Sequence, residues 1–217
     1  MVSTEIKDIL ATSASICTIL QFLAGVLVCR KYIKNGTTGD SSSLAFITCY
    51  MSCSLWLRYG LLIGDSFVVL VNIFGTILQV CYVLIFILYS VKKSVTLKQF
   101  AAATCFLAVI YFYVAYETNK EIAAKYIGLI SCSVTILFFA SPLVMLTHVL
   151  RIKNTESLPF PVILASLIVS CQWFAYGCLI NDQFIQMPNF MGCILSAFQL
   201  SLFCLYPNKR VDQTLLI

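Results

Sequence analysis

The chain has 217 residues, 60% of them hydrophobic and only 11% charged, with a formal net charge of +5. Such a composition excludes an ordinary water-soluble globular domain. The positive surplus follows from where the basic residues fall between apolar runs, and it is no argument for a nucleic-acid partner.

Apolar runs near the roughly 20 residues that a spanning helix needs are predicted at 8–29, 44–63, 67–90, 100–116, 126–150, 158–180 and 184–206. Glu5, Lys7 and Asp8 precede the first run, with no basic start and no small-residue cleavage site, so it reads as a retained span and not a signal peptide. The loop after it carries Arg30, Lys31 and Lys34, and Asn35-Gly36-Thr37 matches the N-glycosylation acceptor pattern. The second run turns into the third through Gly64-Asp65-Ser66, and Lys92, Lys93 and Lys98 follow. The fourth is the weakest, being short and interrupted by Thr104. The fifth lies between Lys120 and Lys125 on one side and Arg151 and Lys153 on the other. The sixth turns into the seventh through Asn181-Asp182-Gln183, and Lys209 and Arg210 come after it.

Ten basic residues therefore lie on one side of the membrane, against Lys7, Lys120, Lys125 and Arg58 toward the other. The positive-inside rule gives an outside N-terminus and a cytoplasmic C-terminus, which leaves Asn35 facing the cytoplasm and unglycosylated. Nearly all of the eleven cysteines, such as Cys81, Cys105, Cys132, Cys171 and Cys193, fall inside apolar runs. There they serve as small, soft apolar residues and not as a disulfide framework. No metal-type Cys/His spacing appears, His148 reads as an interfacial residue, and no metal or cofactor is expected.

A copied block organises the chain. Trp56, Tyr59, Gly60, Leu62, Ile63, Asp65, Phe67, Asn72, Gly75, Ile77 and Leu78 recur 117 positions later as Trp173, Tyr176, Gly177, Leu179, Ile180, Asp182, Phe184, Asn189, Gly192, Ile194 and Leu195. In both copies a basic loop follows the first helix and an Asp turn follows the second, so the copies share one orientation. Three helices per copy can share an orientation only if a single extra helix stands between them, and the fourth run is that linker. The expected fold is all-α: seven transmembrane helices as two parallel three-helix repeats joined by a linker helix. The expected divisions are a first repeat over 1–98, a linker over 99–120, a second repeat over 121–207 and a cytoplasmic tail over 208–217.

The copied polar residues form the candidate solute site. Trp56 lies nine residues before Asp65 and Asn72 seven after it. At 1.5 Å rise per residue both fall roughly 10 Å below the turn. Trp173 and Asn189 stand likewise around Asp182. Two amides that donate and accept suit the hydroxyls of a neutral solute, and indole faces suit the C–H faces of a sugar ring. No Asp, Glu, Lys or Arg lies near the centre of a run, which argues against ion coupling. Tyr59, Tyr176, Asp65 and Asp182 cluster at the outer mouth, as a gate between halves (Tyr59 with Asp182) or as turn caps. Gly75 and Gly192 read as close-packing glycines. Pro142, Pro159, Pro161 and Pro188 each remove a backbone donor and are candidate hinges. The two tryptophans leave modest room, which favours a monosaccharide.

Ser43-Leu44-Ala45-Phe46, Leu55-Trp56-Leu57-Arg58-Tyr59-Gly60, Val71-Asn72-Ile73-Phe74-Gly75, Ser141-Pro142-Leu143, Ser157-Leu158-Pro159-Phe160, Trp173-Phe174-Ala175-Tyr176-Gly177 and Pro188-Asn189-Phe190-Met191-Gly192 resemble the SWEET family of sugar transporters. The likeness runs from the first span to Tyr206-Pro207. It implies facilitated, bidirectional movement of a small neutral sugar such as glucose, with no coupling ion, through a protein embedded in the lipid bilayer. It also implies a homo-oligomer whose protomers keep separate routes. By position, Asn72 and Asn189 are the sugar-binding asparagines, Trp56 and Trp173 the paired pocket residues, and Tyr59 with Asp182 the outer gate. The family commonly has four helix-bending prolines; Pro142 and Pro159 match the second pair, whereas the first pair falls on Gly25 and Ala45. The tail Asp212-Gln213-Thr214-Leu215-Leu216-Ile217 resembles an acidic dileucine sorting signal, which sets a Golgi or endosomal membrane beside the plasma membrane as a location. A related PQ-loop carrier of amino acids is disfavoured because Phe160, not Gln, follows Pro159. A seven-helix receptor would lack the repeat, and no nucleophile–base pair suggests an enzyme.

Overall fold

A computed structural model describes residues 2–206. The helices are α1 (Val2–Asn35), α2 (Leu44–Ile63), α3 (Ser66–Tyr89), α4 (Lys93–Tyr116), α5 (Lys120–Phe138), α6 (Ala140–Ile152), α7 (Phe160–Leu179) and α8 (Gln183–Leu205). Among the described residues, seven stretches are long and apolar enough to cross a membrane, with α5 and α6 together making the fifth. Leu27, Val109 and Leu137 are each 70% exposed. Apolar side chains turned outward over whole helices are what a lipid solvent requires, since helices satisfy their own backbone and leave only hydrocarbon to meet the tails. Lys209, Arg210 and the dileucine-like tail lie outside the described residues.

Helix ends follow local chemistry. At the outer turn of the first copy, Gly64 takes a left-handed φ of 72° and its N–H reaches the Gly60 carbonyl. Asp65 then caps α3 by accepting the N–H groups of Phe67 and Val68, both at 3.0 Å. In the second copy Asn181 takes the left-handed position with φ 56°, and Asp182 caps α8 through the N–H groups of Phe184 and Ile185 at 2.9 and 3.2 Å.

Three expected spans differ in extent: the first, the fourth and the fifth. The first runs over Val2–Asn35 where 8–29 was expected, so Arg30, Lys31 and Lys34 stand on its final turns and not in a loop. The fourth begins at Lys93 and not at residue 100, and its 24 residues are no weak span. Thr104 does not interrupt it, because its hydroxyl donates to the Phe100 carbonyl one turn back at 2.9 Å. Lys93 and Lys98 extend it past the apolar stretch on side chains long enough to reach water. The fifth begins at Lys120, capped by the Asn119 side chain, which accepts from the N–H groups of Glu121 and Ile122. The fifth is also broken: helix stops at Phe138 and restarts at Ala140, two residues before Pro142 in the first turn of α6. A proline cannot donate to the carbonyl four residues back and its ring crowds that turn. Pro159 stands at the N-cap of α7 and Pro161 in its first turn, where a missing N–H costs nothing, so both start that helix rather than bend it. Pro188 lies inside α8, which continues through it.

The chain divides into two compact units, Met1–Thr135 and Ile136–Ile217. This division by compactness falls inside α5, whereas the copies are divided by the linker. In the first unit α3 packs against α1 and α2, and α4 packs on α2 and α3. The Tyr111 hydroxyl of α4 donates to the Ser54 carbonyl of α2, and Ile47, Val83 and Ala103 form a buried cluster. In the second unit α7 packs on α8, and Leu146, Val149, Leu158, Ile163 and Leu202 bring α6, the start of α7 and α8 into one core.

Contacts repeat with the sequence. A Cβ on Gly75 would stand 2.7 Å from Cys53 Sγ and 2.7 Å from the Phe22 ring, and one on Gly192 would stand 2.6 Å from Ser170 Oγ and 3.6 Å from the Phe139 ring. Cys53 and Ser170, like Phe22 and Phe139, are separated by the spacing that relates the copies. At the other end, the Thr38 N–H donates to the Tyr89 carbonyl at 3.1 Å, and the Thr155 hydroxyl donates to the Tyr206 carbonyl at 2.8 Å. One first helix is nevertheless whole and the other broken. Gly25 occupies the position of Pro142, and a Cβ there would overlap the Tyr82 ring, whose hydroxyl donates to the Phe22 carbonyl at 3.0 Å.

Candidate solute site

In each copy an antiparallel helix hairpin, α2–α3 or α7–α8, carries the candidate residues. Asn72 and Asn189 are half-buried. Each amide donates to the carbonyl one turn back: Asn72 Nδ2 to Val68 at 2.8 Å and Asn189 Nδ2 to Ile185 at 2.7 Å. The bond lies within the helix, so neither residue is explained as a strap between helices. It uses one of the two N–H donors and aims the amide in the same way twice. A carboxamide so oriented keeps a donor and a carbonyl acceptor, the pair a sugar hydroxyl needs.

The tryptophans are also set alike. Trp56 meets Tyr59 edge-on with ring centroids 5.6 Å apart at 86°, and Trp173 meets Tyr176 at 5.6 Å and 84°. These are favoured aromatic geometries, and Tyr59 and Tyr176 are buried at 3% and 2% exposure. Rigid tyrosines thus brace both indoles one turn away. The Trp56 indole N–H in addition donates to Thr135 Oγ1 at 3.0 Å.

Asp65 and Asp182, expected at the outer mouth, act as helix N-caps. That capping is compatible with a further role for either residue. Gly60 and Gly177 permit the close approach of each hairpin: a Cβ would stand 3.0 Å from the backbone nitrogen of Val69 or of Gln186. Among the described residues, no three His, Cys, Asp or Glu side chains come together as a metal site would require.

Sequence reasoning missed the threonines. Thr18 and Thr135 share the copy spacing, and each hydroxyl donates one turn back at 2.8 Å, to Ala14 and Ser131 respectively. Thr38 and Thr155 share it too. The signal was present, but a lone Thr in an apolar run has a bland explanation as a back-bonded hydroxyl, and the two pairs lie outside the block where matches are dense.

Comparison with known proteins gives the same pattern twice. A family model described as a sugar efflux transporter for intercellular exchange matches residues 8–94 and again 125–211. The second match is displaced from the first by the spacing that relates the copied residues. The chain is 48% identical over 204 residues to a Sugar transporter SWEET1 of Drosophila pseudoobscura pseudoobscura, covering 93% of this chain and 90% of that one. It is 32% identical to a Sugar transporter SWEET1 of Caenorhabditis elegans, covering 96% and 69%. A solved eukaryotic SWEET transporter superposes with a TM-score of 0.84 at 27% identity, covering 93% of this chain and 98% of that one. Twin hairpins bearing Trp, Tyr, Asp and Asn in one register, the doubled family match and these relatives converge: the chain belongs to the SWEET family of multi-pass membrane sugar transporters, which are not enzymes.

Proposed function

We propose that the protein carries a neutral monosaccharide such as glucose across a membrane in either direction, by alternating access and without a coupled ion. The observation that carries this reading is the duplication of an amide in one hydrogen-bonded pose and of an indole in one edge contact on equivalent helices. Asn72 and Asn189 bind sugar hydroxyls, and Trp56 and Trp173 cover the ring faces. Tyr59, Tyr176, Asp65 and Asp182 form the outer gate, and Pro142 and Pro188 serve the hinge motion, whereas Pro159, at the N-cap of α7, marks where the preceding loop meets that helix. The sequence supports an uncoupled cycle, since no carboxylate or basic residue lies near the centre of a span. A carrier that couples to nothing runs downhill either way. The excess of basic residues on one side supports an orientation with the N-terminus outside, in the plasma membrane or, with the tail's dileucine-like pattern, a Golgi or endosomal membrane.

Uptake of labelled glucose into cells lacking other sugar carriers tests this. Asn72→Ala and Asn189→Ala should each lower uptake roughly five- to 150-fold, because an unmatched sugar hydroxyl in a dry site costs about 1–3 kcal/mol. Surface delivery should stay near normal, and a proton gradient should leave wild-type flux unaltered. Undiminished uptake by either variant removes that asparagine from the site.

A further inference from the structure

We propose that Thr135 is a positioning residue for sugar transport: its hydroxyl holds the Trp56 indole in one orientation and thereby sets sugar preference. The proposal rests on the reading of Trp56 as a substrate-binding residue. Trp56 lies on α2 and Thr135 on α5, so the bond between them at 3.0 Å joins two helices far apart in sequence. A threonine hydroxyl has one proton. Here that proton goes to the Ser131 carbonyl at 2.8 Å, which turns the oxygen lone pairs outward as acceptors. The hydroxyl is therefore polarised to receive the indole N–H and has no proton left for a sugar.

The support beneath it is firm. Ser131 is fully buried, and its own hydroxyl donates to the Ile127 carbonyl at 2.7 Å. On its other side the Trp56 ring is held edge-on by buried Tyr59. An indole turns about only two side-chain bonds, and a hydrogen bond at the nitrogen plus an edge contact fixes both. Its face is then offered at one angle, as discrimination between sugars differing in one hydroxyl demands. Removing the acceptor leaves an indole N–H unmatched in an apolar setting, at a cost the ring avoids by rotating. In the other copy the Thr18 hydroxyl is polarised in the same sense, donating to Ala14 at 2.8 Å.

The test uses the full chain in lipid vesicles, with KM and turnover measured for glucose and its single-hydroxyl epimers. Thr135→Val should raise the glucose KM by about three- to tenfold, with turnover changed less than about twofold, and should alter the epimer ranking. Thr135→Ser, which keeps the oxygen, should restore wild-type values. Adding Thr135→Val to Trp56→Phe should change nothing further, as expected if one acts through the other. In a Trp173→Phe background, used for spectroscopy alone, Thr135→Val should move the remaining Trp56 emission to shorter wavelength. If Thr135→Val does not assemble in vesicles, Thr135→Ala takes its place beside Thr135→Ser. Wild-type KM and ranking in the Val or Ala variant, or effects that add to those of Trp56→Phe, overturn the positioning role and leave the site intact. Unchanged KM and ranking in Trp56→Phe instead overturn the reading of Trp56 itself.

Discussion

Gly75 carries no side chain because α3 meets Phe22 of α1 and Cys53 of α2 where one would begin. Cys53 is buried at 3% exposure and has little room to withdraw. Gly75→Ala should therefore destabilise the protein by about 1–3 kcal/mol, the usual cost of overpacking. Thermal unfolding in detergent measures it, and an unchanged midpoint shows that Phe22 and Cys53 yield freely. At this scale the sequence was most legible where a residue type is costly in a membrane. An amide or an indole deep in a helix stands out, as does a carboxylate at the turn between two helices, and each returns here at one spacing. Thr135 was not legible, because the fact that matters is its partner on another helix.

Between elements the contrast is α1 against the pair α5 and α6. Both occupy the first position of a triplet, yet one runs unbroken for 34 residues and the other is cut at Phe139. The cut was readable from Pro142. The intact state of α1 was readable only as a missing proline at Gly25, with no sign that Tyr82 lies over it. Helix starts at Lys93 and Lys120 were hidden for another reason: charged residues extend a helix beyond the hydrocarbon, where an apolar count stops. If the break bends during transport, Pro142→Ala should slow turnover several-fold while KM stays near wild type, since the change touches motion and not binding. Turnover and KM both unchanged in vesicle flux assays remove Pro142 from the cycle.

For the whole molecule, the repeat spacing, read with the basic segment and Asp turn in each copy, carried the architecture of two like-oriented triplets, because three helices per copy then demand a linker. What it could not carry is which side chain of one copy meets which of the other, a matter of packing that no period encodes. Orientation rests on charge, and Asn35 reports on it. In cells the full chain should migrate identically with and without glycosidase treatment. A mobility shift that Asn35→Gln abolishes would place the loop after α1 outside and invert the topology.

The Tyr82 ring over Gly25 makes the halves unequal heirs of one ancestral unit. A chain engineered with the first triplet in both places would hold two unbroken leading helices, and one with the second triplet in both places would hold two cut ones. Neither reproduces the natural pairing of one unbroken leading helix with one broken one. The copies match in their hairpins and differ in their leading helices.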